Sequence, residues 1–257
     1  MGNSARPIEK ISSVDAVERQ LRTDILVGRL AAGGKLRPER ELAATLHVNR
    51  LTLRTALARL AAAGLVQAMH GEGNRVLDYR VSCGLDLLPE LARTFAHDPA
   101  TLLRLVGDML ALRRSLSADA AAAAARLATA ADLALLQQII ARQRANAGDM
   151  RAFMQGDLDF TRAVLAIGGN LAFQLAFNTV TQFAALRPDV MELLFEAPEV
   201  HLRGYEAFAA IVATGEQDLA RETVRQGLAA LDERFIGRVR AYLRAGEPPA
   251  PIPLYPR

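Results

Sequence analysis

The chain has 257 residues, 51% of them hydrophobic, with a net charge of +3 at pH 7. That is enough apolar material for the cores of two modest domains. A single cysteine, Cys83, excludes a disulfide framework and a cysteine-rich metal site. No apolar run reaches membrane-span length and the N-terminus carries no signal-peptide core, so a cytoplasmic protein with no membrane partner is expected.

The charge is unevenly placed. Residues 1–80 hold 13 Lys/Arg against 8 Asp/Glu, whereas the remainder holds 18 against 20. A basic head on a slightly acidic body suits a nucleic-acid-binding module joined to something else.

Residues 1–10 are polar and expected to be mobile. From Ser13 to Val27, Val14, Val17, Leu21 and Ile25 make one apolar face of a first helix, which Gly28 ends. Gly33-Gly34 is read as a turn. A second, short helix follows Pro38 with Leu42 and Leu46 inward, and His47-Val48-Asn49 breaks it. Asn49 caps a third helix, in which Leu53, Ala56, Leu57 and Leu60 form a buried stripe. Asn49, Arg50, Thr52 and Arg54 lie near its start, largely off that stripe. Such a turn can enter the major groove, where arginine pairs with guanine and asparagine with adenine. Gly64 stops the helix. Leu65–Met69 and Asn74–Leu77 then pair around His70-Gly71-Glu72-Gly73 as a wing aimed at the adjacent minor groove.

The segment 79–84 is read as a linker. From residue 85 to 246 nearly every segment has helical periodicity, with breaks at Asp98-Pro99, Thr129-Ala130, Gly148, Gly168-Gly169-Asn170, Arg187-Pro188, Ala197-Pro198 and Gly215. The expected fold is therefore mainly α. A winged helix-turn-helix domain over 11–78 precedes an all-α bundle of about seven helices over 85–246, and a Pro-rich tail over 247–257 closes the chain.

Polar residues interrupt the apolar stripes of the bundle. Arg113 lies on the face of Leu102, Val106, Met109 and Leu116. Asp157 lies with Phe153, Phe160, Val164 and Ile167, and Tyr205 with Phe208 and Val212. A buried arginine needs a partner. Two readings stay open: Arg113 and Asp157 form an ion pair fixing helix register, or they line a pocket in which Arg113 receives an anionic ligand.

Several stretches carry a resemblance. The run Leu36-Arg37-Pro38-Glu39-Arg40-Glu41-Leu42-Ala43, then Val48-Asn49-Arg50, Leu53-Arg54, Leu57, Leu60 and Gly64-Leu65-Val66, is similar to the winged-helix head of the GntR family of bacterial transcription regulators. The rest resembles the FadR branch of that family, whose effector domain is all-helical, and the likeness leaves out about ten residues at each end. It implies DNA contacts by Arg40, Asn49, Arg50, Thr52, Arg54, His70 and Gly71. Leu51 departs, since the fatty-acid-responsive member of that branch has a small hydroxyl residue there; an apolar side chain either touches a thymine methyl or loses a phosphate contact.

The resemblance also implies a small-molecule cavity in the bundle, with Arg113, Asp157, Thr161 and Tyr205 as effector-site residues. Many relatives hold a divalent metal there with one Asp and three His. Asp157 matches the first ligand, but the histidine places fall on Thr161 and near Gly204 and Gly227. No metal and no cofactor is expected. His97 is read as a loop residue and His201 as a helix-surface or core residue. Cys83–Arg93, Leu110–Arg113, Gly169-Asn170 and Asp218–Arg225 resemble fatty-acid-responsive members of the branch, which implies a fatty acyl-CoA or another small anionic organic effector.

Taken together, these features predict a transcription regulator that binds a palindromic double-stranded operator as a homodimer, since twofold DNA calls for a twofold protein; the direction of control stays open, repressor being the commoner kind that the resemblance implies. An enzyme with a DNA-binding appendage is disfavoured, because no phosphate-cradling Gly loop and no catalytic Ser/His/Asp constellation is present. An architectural DNA binder whose bundle only dimerises is the other alternative.

Overall fold

Ser12 opens the first helix, its Oγ accepting the Asp15 N–H at 3.2 Å. The computed structural model describes residues 12–186, 188–195 and 197–245. The expectations for residues 1–10, for the tail 247–257 and for Arg187 lie outside them. Contacts divide the chain into two units between Leu87 and Leu88.

In the first unit, α1 (Ser13–Leu26) buries Val17, Leu21, Ile25 and Leu26. Helix α2 (Glu39–Thr45) starts after Pro38 and buries Leu42 and Ala43. Asn49 Oδ1 accepts the Thr52 N–H at 2.8 Å and starts α3 (Arg50–Ala62). The expected stripe of α3 is buried, with Leu53, Ala56 and Leu60 at 0% exposure and Leu57 at 5%. Between α2 and α3 the chain turns through His47, which has a positive φ of 53°. Helix α1 packs on α3, and Arg59 bridges to Asp15 at 2.7 Å and Glu18 at 3.2 Å.

Gly64 ends α3 with φ of 73°, and a Cβ there would come within 2.7 Å of the Ser82 carbonyl oxygen. Strands β1 (Val66–Met69) and β2 (Gly73–Val76) then pair antiparallel, Val66 opposite Val76 and Met69 opposite Gly73. The Gly33-Gly34 turn does more than reverse the chain. Gly33 N–H donates to the Val76 carbonyl, Val76 N–H to the Gly34 carbonyl and Leu36 N–H to the Asn74 carbonyl, all within 2.9 Å. Strand β2 is therefore held on both edges, which stiffens the base of the wing. The segment read as a linker carries a short helix, α4 (Tyr79–Ser82), capped by Asp78. Ser82 Oγ donates to the Gly64 carbonyl at 2.7 Å and Cys83 Sγ to the Ala63 carbonyl at 3.1 Å, which ties this segment back to the end of α3.

In the second unit the described residues form eight helices: α5 (Leu88–Thr94), α6 (Pro99–Leu127), α7 (Ala130–Ala145), α8 (Met150–Gly168), α9 (Leu171–Ala185), α10 (Pro188–Glu192), α11 (Pro198–Thr214) and α12 (Gln217–Ala245). Against the expected seven, the extra piece is the five-residue α10. The helix starts are written in cap residues. Asp98 and Asp149 accept first-turn N–H groups, and Thr129 forms a reciprocal capping box with Asp132. Helices α6 and α12, 29 residues each, run against one another. The Ala-rich half of α6 buries Ala118, Ala120, Ala121, Ala124 and Ala125, small side chains that let neighbouring helices approach closely. No helix among the described residues is long and apolar enough to cross a membrane.

Candidate nucleic-acid interface and ligand chamber

In the head, Arg40, Asn49, Arg50, Arg54, His70 and Gly71 are all exposed. Thr52 differs: at 9% exposure it lies inward, and its N–H is taken by the Asn49 cap. Arg54 Nε donates to Glu39 Oε2 at 2.7 Å, which holds the guanidinium across from α2 into α3. The first turn of α3 thus combines the partial positive charge of a helix N-terminus with exposed arginines, the electrostatics that an array of phosphates attracts. At the wing tip, Glu72 N–H donates to the Met69 carbonyl at 3.0 Å, closing a turn through His70 and Gly71. Gly71 has φ of 73°, a conformation an L side chain would strain.

The bundle encloses a cavity of about 770 Å³, within the range of small-molecule sites. Its walls are mainly apolar, with Leu102, Val106 and Met109 from α6 facing Phe160 and Val164 from α8 and Phe208 from α11. Arg113, Asp157, Thr161 and Tyr205 all line it. Gly204 and Gly227 also line it and are exposed, so the cavity reaches solvent beside them.

The ion-pair reading is corrected by the partners observed. Arg113 does not pair with Asp157. Its NH2 group donates to Asp232 Oδ1 at 2.7 Å, while Arg114 donates to Asp232 Oδ2 at 2.6 Å. Because α6 and α12 lie lengthwise together, the counter-charge comes from α12, and the sequence pattern of α12 gave no signal for it. Asp232 has a 3% exposed side chain. Burial pushes its carboxyl above the usual carboxylate range, against the pull of the two guanidiniums. Arg113 Nε is buried with no hydrogen-bond partner.

Asp157 instead accepts from the Tyr205 hydroxyl at 2.6 Å. Burial, then the neighbouring Asp157 charge, pushes the Tyr205 phenol well above its ordinary range, so it is a donor at neutral pH. Phe160 lies tilted against Tyr205 at 4.6 Å between ring centroids and meets Phe208 edge-on at 5.5 Å. His201, the second polar residue that the stripes did not reveal, is buried and lines the cavity. Its Nε2–H donates to the Leu194 carbonyl at 2.9 Å, and burial holds its pKa below the usual histidine value. The cavity can therefore hold an apolar body against the aromatic and aliphatic walls while Arg113, Asp157 and Tyr205 engage a polar end.

The four places that the resemblance assigns to a metal, Asp157, Thr161, Gly204 and Gly227, all border this cavity. A Cβ at Gly204 or Gly227 would meet nothing within 4 Å, so open space stands in place of imidazoles. Among the described residues no group of three or more His, Cys, Asp or Glu is placed to hold a metal ion.

A basic winged helix-turn-helix head and a helical domain built around a ligand-sized cavity define a DNA-binding transcription regulator with an effector-binding domain. Residues 13–76 match the bacterial regulatory proteins of the gntR family and residues 108–230 match the FCD domain. The chain belongs to the GntR family, in the FadR subfamily that carries an FCD effector domain. This is a family of transcription regulators and not of enzymes. The HTH-type transcriptional regulator Mce2R of Mycobacterium tuberculosis is 30% identical over 222 residues, covering 86% of this chain and 90% of that protein. The HTH-type transcriptional repressor NanR of Klebsiella aerogenes is 31% identical over 195 residues, covering 75% and 74%. The fatty acid metabolism regulator protein of Escherichia coli is 28% identical over 222 residues, covering 85% and 89%.

Proposed function

We propose that this regulator binds a palindromic operator as a homodimer and that a small organic acid or an acyl-CoA, bound in the bundle cavity, controls that binding. Arg40, Asn49, Arg50 and Arg54 contact the major groove and its phosphates, His70 and Gly71 reach the minor groove, and Thr52 fixes the turn from behind. One observation carries the effector reading: Arg113, Asp157, Thr161 and Tyr205, chosen for breaking the apolar stripes or for their place in the resemblance, all border one cavity of about 770 Å³. A bundle serving only to dimerise would have no use for buried charge beside a cavity of ligand size. Ligand binding would shift helices packed on one another and change the spacing of two DNA-binding heads.

The test pairs two measurements on the full chain. Thermal stability is recorded against acyl-CoAs, free fatty acids and small carboxylates. Each compound that raises the melting temperature is then added to a gel-shift assay with a duplex selected from a random-sequence library. A ligand at a hundred times its Kd stabilises the native state by about 2.7 kcal/mol. A compound that raises the melting temperature and alters duplex affinity supports the reading. Duplex binding indifferent to every compound, with no thermal shift, returns the protein to the architectural alternative.

A further inference from the structure

Leu51 is 75% exposed in the first turn of α3, flanked by Arg50 and one turn from Arg54. Helical spacing from the buried stripe of Leu53, Ala56, Leu57 and Leu60 puts Leu51, Thr55 and Ala58 on the line farthest from the core, and all three are exposed. That ridge offers no free side-chain hydrogen-bond donor in its first two turns. The Thr55 hydroxyl donates its only proton to the Leu51 carbonyl at 3.0 Å, so it has none left for a base or a phosphate. Polar reach lies to the sides, in Arg50 and in Arg54, which Glu39 holds at 2.7 Å. A solvated helix normally turns its polar side chains outward and its apolar ones in. Here the outermost ridge is Leu, a self-bonded Thr and Ala.

We propose that Leu51 is a specificity-determining residue that reads the 5-methyl group of a thymine in the major groove of each operator half-site. The step rests on α3 being the groove-reading helix, as proposed above. The thymine methyl is the one apolar feature on the major-groove edges of the base pairs, and A·T, T·A, G·C and C·G are distinguished there by it together with the donor and acceptor pattern. An apolar side chain at the head of the helix makes no hydrogen bond to a phosphate or a base edge. It gains burial only against that methyl. The flanking arginines then position the helix through phosphates and guanine edges, while Leu51 selects thymine over cytosine at one place.

The experiment uses the full-length protein and the duplex it selects from a random-sequence library. Each thymine in turn is replaced by deoxyuridine, which removes the methyl and leaves every hydrogen-bonding group. Affinities are measured for the wild type, Leu51→Ala, Arg50→Ala and Arg54→Ala at one salt concentration. Leu51 is 75% exposed, so L51A is expected to fold, and its melting temperature checks this. The expected result is one symmetry-related thymine at which deoxyuridine weakens wild-type binding about fourfold per half-site, with that sensitivity erased in L51A. No sensitive thymine, or sensitivity that persists in L51A, overturns the proposal while loss of binding in R50A or R54A keeps α3 as the reader. Unchanged binding in both arginine variants overturns the groove-helix reading itself, and the proposal with it.

Discussion

Asp232 and Arg113 are joined at 2.7 Å across 119 residues of sequence, on α12 and α6. Arg114 donates to the other oxygen of the same carboxylate at 2.6 Å. One nearly buried acid therefore balances two guanidiniums, of which Arg113 keeps only 16% of its side chain exposed. Removing one partner of such a set leaves an uncompensated charge in a low-dielectric site, which costs about 3–5 kcal/mol when fully buried. Asp232→Ala should therefore lower the stability of the bundle by about 3 kcal/mol in urea denaturation. A change under about 0.5 kcal/mol, the size typical of surface sites, would show that the triad is held by packing and that charge contributes little.

Much of this molecule was legible because local rules and tertiary packing agree. Asn49, Thr129, Gly64 and Gly215 punctuate the chain where cap and turn chemistry say they should. The α3 stripe is buried residue for residue. Arg113, Asp157 and Tyr205 could be picked out because each interrupts an apolar face. Their partners could not be read, because a stripe tells that a polar group is buried and not which distant helix answers it. Asp232 sits in a helix crowded with charges of both signs, and nothing local sets it apart from Glu222 or Glu233. His201 was hidden differently: its neighbours Phe153, Phe195 and Tyr205 come from three segments. The pairing of 33–36 with β2 also escaped, since two glycines in a row read first as a turn.

Gly204 lies within α11 and borders the cavity, and a Cβ there would meet nothing within 4 Å. Two consequences separate cleanly. Replacing a helical glycine by a good helix former stabilises by about 0.5–1 kcal/mol. The same side chain occupies the space beside the cavity mouth. Gly204→Leu is expected to raise the melting temperature of the free protein and to abolish the thermal shift caused by any cavity ligand, with duplex affinity retained. A full ligand shift in this variant would place the ligand elsewhere.

Gly156 in α8 has the opposite surroundings. A Cβ on it would fall inside the side-chain amide of Gln143 from α7. Gln143 is fully buried, and its Nε2 donates to the Phe153 carbonyl at 2.9 Å, so moving the amide aside breaks a buried hydrogen bond. Overpacking of this kind costs about 1–3 kcal/mol. Gly156→Ala should destabilise by that amount despite its better helix propensity. Gly156→Ala combined with Gln143→Ala should recover part of the loss. Additive destabilisation in the double variant would mean that the two residues do not compete for the same space.

His201 supplies the pH dependence. Burial disfavours its charged form and holds its pKa below the ordinary 6.5, with the Asp157 charge pulling the other way. The bonding agrees: its Nε2–H donates to the Leu194 carbonyl, and the ring packs among Phe153 and Phe195, where a second proton would have to be charged in an apolar setting. Between the depressed folded value and 6.5, the unfolded chain binds a proton that the folded chain refuses. Stability therefore rises with pH through this window, is fully present above about 6.5 and is lost as pH falls below it. The melting temperature should hold above about pH 6.5 and drop as the pH falls below it, before the usual carboxylates titrate; Asp232, whose carboxyl is raised, would act with the opposite sign. His201→Gln keeps a donor for the Leu194 carbonyl and removes the titration. Its melting temperature will start lower, because the ring contacts are gone, but it should fall less over the same range. Parallel slopes for the two proteins would show that another group, and not His201, senses the acid.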